Sequence, residues 1–380
     1  MGNKYIRVGV FAPPHHSNKD DVTLAMRRDF ALVEWLDQLG YAEYWIGEHH
    51  SSGLQIYGSP ELFIAAAAER TQRIKLGAAV ISLPYHNPLM VADRIVQLDH
   101  QTRGRAMFGF GPGALSSDAH MLGIPIAKSR ERMTQAIDTI VRLLDGETVT
   151  EETDWYTLRD AYLHIEPYTQ PRPHLAVASL RTPTGALTAG RHNMGLLCAM
   201  ASGVRDAWRI ANEEAAKHGN TLDRRNLRVV GSFHLADTRE EARKLVQHGL
   251  DDYLEYLNVL RPPAAGASAG PVPIEQVIAA RGGVVGTVDD AVEALEKLWD
   301  ETGGFGTLLL SGTNWMDHDA QKRSYELFMR YVVPKFTGQN RRRDASLQWM
   351  KDNAVSFSEI RDQAAEGAMS KSDEKAPVAA

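Results

Sequence analysis

Short apolar runs alternate with amphipathic segments along most of the chain, a pattern that predicts an α/β fold with a parallel sheet. Tyr5–Phe11 reads as the first strand and runs into the loop Pro13-Pro14-His15-His16. Leu24, Ala31, Leu32, Trp35, Leu36 and Leu39 then recur at helical spacing, so a helix is expected over roughly 23–39, with Gly40 stopping it. Further strands are expected at Tyr44–Gly47, Lys75–Leu83, Arg105–Phe110, Leu175–Ala178, Gly195–Met200, Leu227–Leu235 and Gly306–Ser311. Between them the spacing predicts helices at Glu61–Glu69, Leu89–Gln101, Ser129–Leu144, Pro183–Gly190, Asp206–His218, Thr238–Leu257 and Val288–Thr302, with a last one at Asp317–Val333. Ser59 is expected to cap the second helix, with Pro60 at its first position. Eight strands, each followed by a helix at intervals of about 30 to 40 residues, match a (β/α)8 TIM barrel.

Two stretches break the rhythm. Thr148–Pro167 alternates apolar and polar residues and reads as an inserted hairpin. Pro262–Pro273 is rich in Gly, Ala and Pro, so an insertion near 260–283 is expected to act as a lid or a linker. The barrel is placed at 1–336, and residues 337–380 form a polar, charged C-terminal extension, expected to be largely unpacked and at most partly helical. Its one apolar stretch, Leu347–Phe357, is a candidate for docking on a neighbouring subunit.

Composition narrows the function classes. A chain of 380 residues, 43% hydrophobic and 24% charged, can bury a large core in the manner of a soluble globular protein. The net charge of −6 argues against a nucleic-acid partner, and Arg341-Arg342-Arg343 reads as a solvated run. A single cysteine, Cys198, excludes an intramolecular disulfide and a cysteine-based zinc site, and it reads as a small buried hydrophobe. No stretch is long and apolar enough for a membrane span, and no leader-like apolar run opens the chain, so a soluble cytoplasmic protein is expected.

The candidate chemistry centres on Tyr44–His50. An apolar run ends there in Gly47-Glu48-His49-His50, at a strand end where barrels hold their active sites. Titratable groups in such a place are costly to bury and useful where a ligand meets them, although a polar loop with two surface histidines has the same sequence. Metal binding by Glu48, His49 and His50 is disfavoured, because neighbours on extended chain point to opposite sides; no metal ligand is assigned. A Gly-x-Ser-x-Gly elbow is absent. Gly109-x-Gly111-x-x-Ala114 resembles a dinucleotide fingerprint, but Pro112 and Gly123-Ile124-Pro125 delay the helix that would receive a pyrophosphate. Close approach of bare backbone to a planar ligand is the alternative. Leu180-Arg181-Thr182-Pro183-Thr184 is either a phosphate cradle or a capped helix start with a solvated Arg181. Trp45, Tyr85, Trp155, Tyr156 and Trp315 either line an apolar substrate pocket or pack in the core.

In order, Glu48-His49-His50, Leu76-Gly77-Ala78-Ala79-Val80, Leu83-Pro84-x-His86-x-Pro88 and Gly104-Arg105-x-x-Phe108-Gly109-Phe110-Gly111 resemble the bacterial luciferase-like family of flavin-dependent monooxygenases. Gly286-Thr287-Val288-Asp289-Asp290 and Thr302-Gly303-Gly304-Phe305-Gly306 extend the resemblance over about residues 5 to 335. Within the family the chain is similar to limonene monooxygenase-like and diketocamphane-type members. The resemblance implies a barrel, usually dimeric, that binds FMN at its strand C-termini. Reduced FMN from a separate NAD(P)H:flavin reductase would react with O2 to a C4a-peroxyflavin, which inserts oxygen into a small apolar, alicyclic or terpenoid substrate. His49 corresponds to the family's active-site histidine, with Glu48 orienting it or bonding nearby backbone. A non-proline cis peptide would fall at Ala79–Val80. Flavin contacts would come from Ala78, Ala79, Val80, Gly111 and Gly113, and phosphate contacts from Ser179, Leu180, Arg181 and Thr182. Pro112 departs from the arginine that luciferase carries just before the glycine equivalent to Gly113, so the cationic contact shifts to Arg181. The same resemblance leaves open an F420-dependent oxidoreductase or a non-catalytic flavin-binding subunit, and the fold alone a metal-dependent hydrolase.

Overall fold

In the computed structural model, residues 5–12, 15–179, 182–260 and 274–373 are described. The strands are β1 (Arg7–Ala12), β2 (Glu43–Ile46), β3 (Lys75–Ser82), β4 (Ala106–Gly111), β5 (Val149–Glu152), β6 (Thr157–Ala161), β7 (His174–Ser179), β8 (Gly195–Cys198), β9 (Leu227–Leu235), β10 (Gly283–Gly286) and β11 (Thr307–Ser311). Eight of them pair in parallel as β11-β1-β2-β3-β4-β7-β8-β9, and β9 pairs back to β11, so the sheet closes into a (β/α)8 barrel. β5 and β6 form the inserted hairpin, antiparallel and separate from the barrel. β10, which sequence periodicity misses, extends the far end of β9 beyond its barrel partner.

Local chemistry sets the helix limits. Asp21 accepts from Leu24 N at 2.9 Å to start the Val22–Leu39 helix, and Gly40 ends it in the left-handed region. Thr287 and Asp290 form a reciprocal capping box ahead of Val288–Thr302. Ser59 precedes Pro60 as expected, yet its hydroxyl donates to Glu61 rather than receiving a backbone N–H. The last barrel helix starts at His318, passes through a π turn at Phe328–Val332 and ends at Thr337. The chain divides into two compact units, one spanning 5–336 and one that includes 337–380. Within the second unit, Arg341–Asp352 and Ala354–Asp373 are helical, more regular than the sequence suggests. No described helix is long and apolar enough to cross a membrane.

The barrel interior is packed from below. At its base Glu43 accepts from Arg228 Nε at 2.6 Å and Nη2 at 3.0 Å, and from Trp45 Nε1 at 2.8 Å. The Arg228 guanidinium lies 5.0 Å from the Trp45 ring centre. Above this pair Trp45, Met107, Ala176, Leu197, Val230 and Leu309 fill the middle. A Cβ on Gly77 would sit 2.2 Å from Trp45 Cε3, so the indole occupies the room of an absent side chain. Trp45 is therefore core and lines no open pocket.

Burial raises the Glu43 carboxyl, but the Arg228 charge and its hydrogen bonds outweigh it and hold the group at about 2. A folded pKa below the usual value gives stability that is complete above about pH 4.5 and lost as the pH falls toward 2. Arg228→Met leaves a buried, unpaired carboxylate and is expected to cost about 3–5 kcal/mol in urea unfolding at neutral pH, with the loss shrinking below pH 4. An undiminished loss at low pH would show that packing, not the charge, carries the effect.

Candidate active site

The open end of the barrel is built from what its strands leave out. Inward positions near the strand C-termini carry small groups, Ala79, Gly111, Ala178 and Ala199, and Ala178 and Ala199 are only half-buried together with Phe11 and Val80. Pairing of β3 with β4 runs Ala79 to Gly109 and then Ile81 to Phe110, so the register skips Val80. The Ala79–Val80 peptide is cis, at the position the resemblance indicates. A backbone segment out of its ladder keeps N–H and C=O groups for another partner.

Glu48, His49 and His50 divide between two clusters, as alternation along extended chain demands. Glu48 is buried; its Oε2 accepts from Ser82 N at 2.6 Å, and its Oε1 bonds His86 Nε2 at 2.7 Å and His50 Nε2 at 3.1 Å. Burial favours the neutral acid, but the bonds from His86, Ser82 and His50 prevail and keep the carboxyl below its usual range. Glu48 thus ties the end of β3 to β2 and does not touch His49, so it is a positioning group rather than a reacting one.

His49 turns the other way. Its Nδ1 lies 3.2 Å from Asp118 Oδ2, while Asp118 Oδ1 accepts from His50 N at 3.2 Å and from the Ser51 hydroxyl. Asp118 is almost fully buried on a short helix, Ser116–Met121, where the sequence predicts a loop. Its one signal in the sequence is Ser116-Ser117-Asp118, acidic residue in a first turn after a glycine loop. Burial lowers the His49 pKa and Asp118 partly restores it. The imidazole is neutral near pH 7, with its proton on Nδ1 toward Asp118 and Nε2 left as the basic nitrogen.

The glycines also answer to packing within the protein. A Cβ on Gly111 would lie 2.4 Å from Val80 Cγ2, and one on Gly113, at φ +81°, 2.2 Å from Tyr85 Oη. At both positions side chains of this protein already exclude a larger residue. Tyr85 stands at the mouth, 5.9 Å edge-on to His50, with its hydroxyl pushed up to about 12 by burial and by Asp118 and Glu48.

The other aromatic candidates lie elsewhere. Trp155 packs on the hairpin, bonding Gln135 and lying beneath Arg132 and against Tyr156. Trp315 is fully buried, stacked 4.7 Å from His234 in a satellite cluster with Tyr253. Trp315 is therefore core, and Trp155 belongs to the packing of the hairpin. After β7, Ser179 is buried and Thr182 exposed, while Leu180, Arg181 and Pro262–Pro273 lie outside the described residues. The Thr184–His192 helix presses against β7, where a Cβ on Gly185 would meet Ala178 O at 2.2 Å, and its N-terminus has no side-chain cap. Free N–H groups at such an end suit an anion.

A closed barrel with this mouth defines a class. The luciferase-like monooxygenase family model matches residues 6–305, and the chain belongs to that family. Among curated relatives, limonene 1,2-monooxygenase of Rhodococcus erythropolis is 46% identical over 87% of this chain and 86% of its own. 4-Hydroxyprotoasukamycin monooxygenase of Streptomyces nodosus subsp. asukaensis is 44% identical over 92% of this chain and 97% of its own. The oxygenating constituent of 3,6-diketocamphane monooxygenase from Pseudomonas putida, solved with FMN, shares the fold at a TM-score of 0.74 and 23% identity, covering 87% of this chain and 98% of that one.

Asp118→Asn removes the charge that supports the His49 proton. Imidazole NMR is expected to show the His49 pKa falling further below 6.5 and its two tautomers mixing. An unchanged titration would mean that the carboxylate does not govern this ring.

Proposed function

We propose that this protein is the oxygenase of a two-component flavin-dependent monooxygenase, which inserts one oxygen atom into a small apolar, alicyclic or terpenoid substrate. Reduced FMN and O2 are its co-substrates, a separate NAD(P)H:flavin reductase its partner, and a cytoplasmic homodimer its working form. The observation that carries the reading is the neutral, Asp118-held His49 at a barrel mouth floored by small residues. The dimer and the reductase rest on the family likeness alone.

The residues present fit a flavin. Ala79, Val80 and Gly111 provide a low floor with backbone outside the sheet ladder, and the uncapped start of Thr184–His192 offers N–H groups to a phosphate, beside Ser179 and Thr182. Reduced FMN, when bound, supplies the electrons that activate O2. His49 then acts through Nε2, giving or taking a proton at the reacting oxygen while Asp118 fixes the ring. Glu48 keeps the β3 end in register, and Tyr85 and Phe11 shield the mouth from water.

The test is oxygen uptake and product analysis with FMN, a flavin reductase and NAD(P)H, over a panel of terpenes and cyclic ketones. His49→Ala is expected to bind FMN as before and to lose about 10²-fold in coupled product, releasing peroxide instead. Full coupling in that variant would overturn the role of His49. Anaerobic turnover with reduced F420 in place of FMN and O2 would overturn the monooxygenase reading itself.

A further inference from the structure

A cleft opens beside the His49–Asp118 pair, with Leu54, Leu115, Tyr256 and Val259 as its apolar lining and Lys19 and Glu255 among its polar residues. Ser117, also in its lining, lies 2.7 Å from the Ser51 hydroxyl that bonds Asp118, which puts the cleft against the active-site clasp.

One polar group in this lining is buried and held from behind. The Tyr256 ring rests 4.9 Å from His15, itself buried, and Gln55 Nε2 lies 3.0 Å from Tyr256 Oη and 3.1 Å from His15 Nε2. An amide nitrogen only donates, so its two hydrogens serve both neighbours and Tyr256 Oη is an acceptor. Burial, then Arg281, His49 and His16, lower His15 to about 3, so its ring is neutral and its Nε2 is free to accept. Burial, then Tyr253 and Asp118, push the Tyr256 hydroxyl up to about 12, so it keeps its proton. That proton has no acceptor among the described residues.

We infer that Tyr256 is a specificity-determining residue, whose O–H donates to an acceptor oxygen on an apolar substrate seated between Leu54 and Leu115. The substrate class is thereby an apolar skeleton bearing a carbonyl or similar oxygen, in preference to the bare hydrocarbon. The inference rests on the monooxygenase reading for what happens to that substrate, but not for its binding. A hydrocarbon offers the O–H no acceptor, and a site built to pair a polar group discriminates against ligands that lack it.

Limonene and carvone, one carbon skeleton without and with a carbonyl oxygen, provide the probes. Ligand-observed NMR titrations of the full chain with oxidised FMN are expected to show carvone binding about 5- to 10-fold tighter than limonene. In Tyr256→Phe, which keeps the ring contact with His15, the preference is expected to vanish. Should that variant fail to fold, Gln55→Leu removes the anchor of the hydroxyl, and the preference must shrink there. Equal affinities in the wild type, no binding of either ligand, or a preference that survives the substitution would overturn the inference. Failure to oxygenate either ligand would instead count against the monooxygenase reading and leave the binding result standing.

Discussion

Everything at the mouth depends on how the barrel is closed below it. A barrel interior has to be filled, and here one large ring does much of the filling: Trp45 spreads over Gly77, is bonded by Glu43 and is covered by Arg228. With the base sealed by a bulky, hydrogen-bonded layer, the strand ends above can carry alanine and glycine without leaving a void in the core. The buried Glu43–Arg228 pair is tolerated because each charge is satisfied by the other and by Trp45 and Thr307.

Above that layer, hydrogen bonds rather than apolar contacts fix the geometry. Glu48 joins β2 to the end of β3, and Asp118 joins the loop after β2 to the helix after β4. Each carboxylate accepts from at least one backbone N–H, so each positions main chain as well as side chains. His49 is the ring whose Nε2 has no hydrogen bond among the described residues. Its low basicity comes from burial, and its direction from Asp118.

The barrel was legible in the sequence because its signal is local. Apolar runs such as Leu227–Leu235 and the helical spacing of Val22–Leu39 depend on near neighbours, and all eight strands fall where the periodicity predicts. The residues at 48–50 stood out by their place at a strand end, but their roles, and the cis bond at 79–80, were legible only through ordered resemblance. Asp118 was not legible, because its partner His49 lies 69 positions away and its helix is too short to show a period. The tryptophans misled for a related reason. Composition says that a large aromatic side chain is present, and only the fold says whether it meets the core, as Trp45 and Trp315 do, or a ligand.

The divergence of His49 and His50 has a consequence for how this segment can change over evolution. The two rings are chemically identical, and only their parity along the strand decides which meets Asp118 and which meets Glu48. Exchanging one residue type for another here alters one cluster at a time. Inserting or deleting a single residue after Trp45 would instead turn every side chain to the opposite face and exchange both clusters at once. Loop length, more than residue identity, is the property that drift through this stretch is least free to alter.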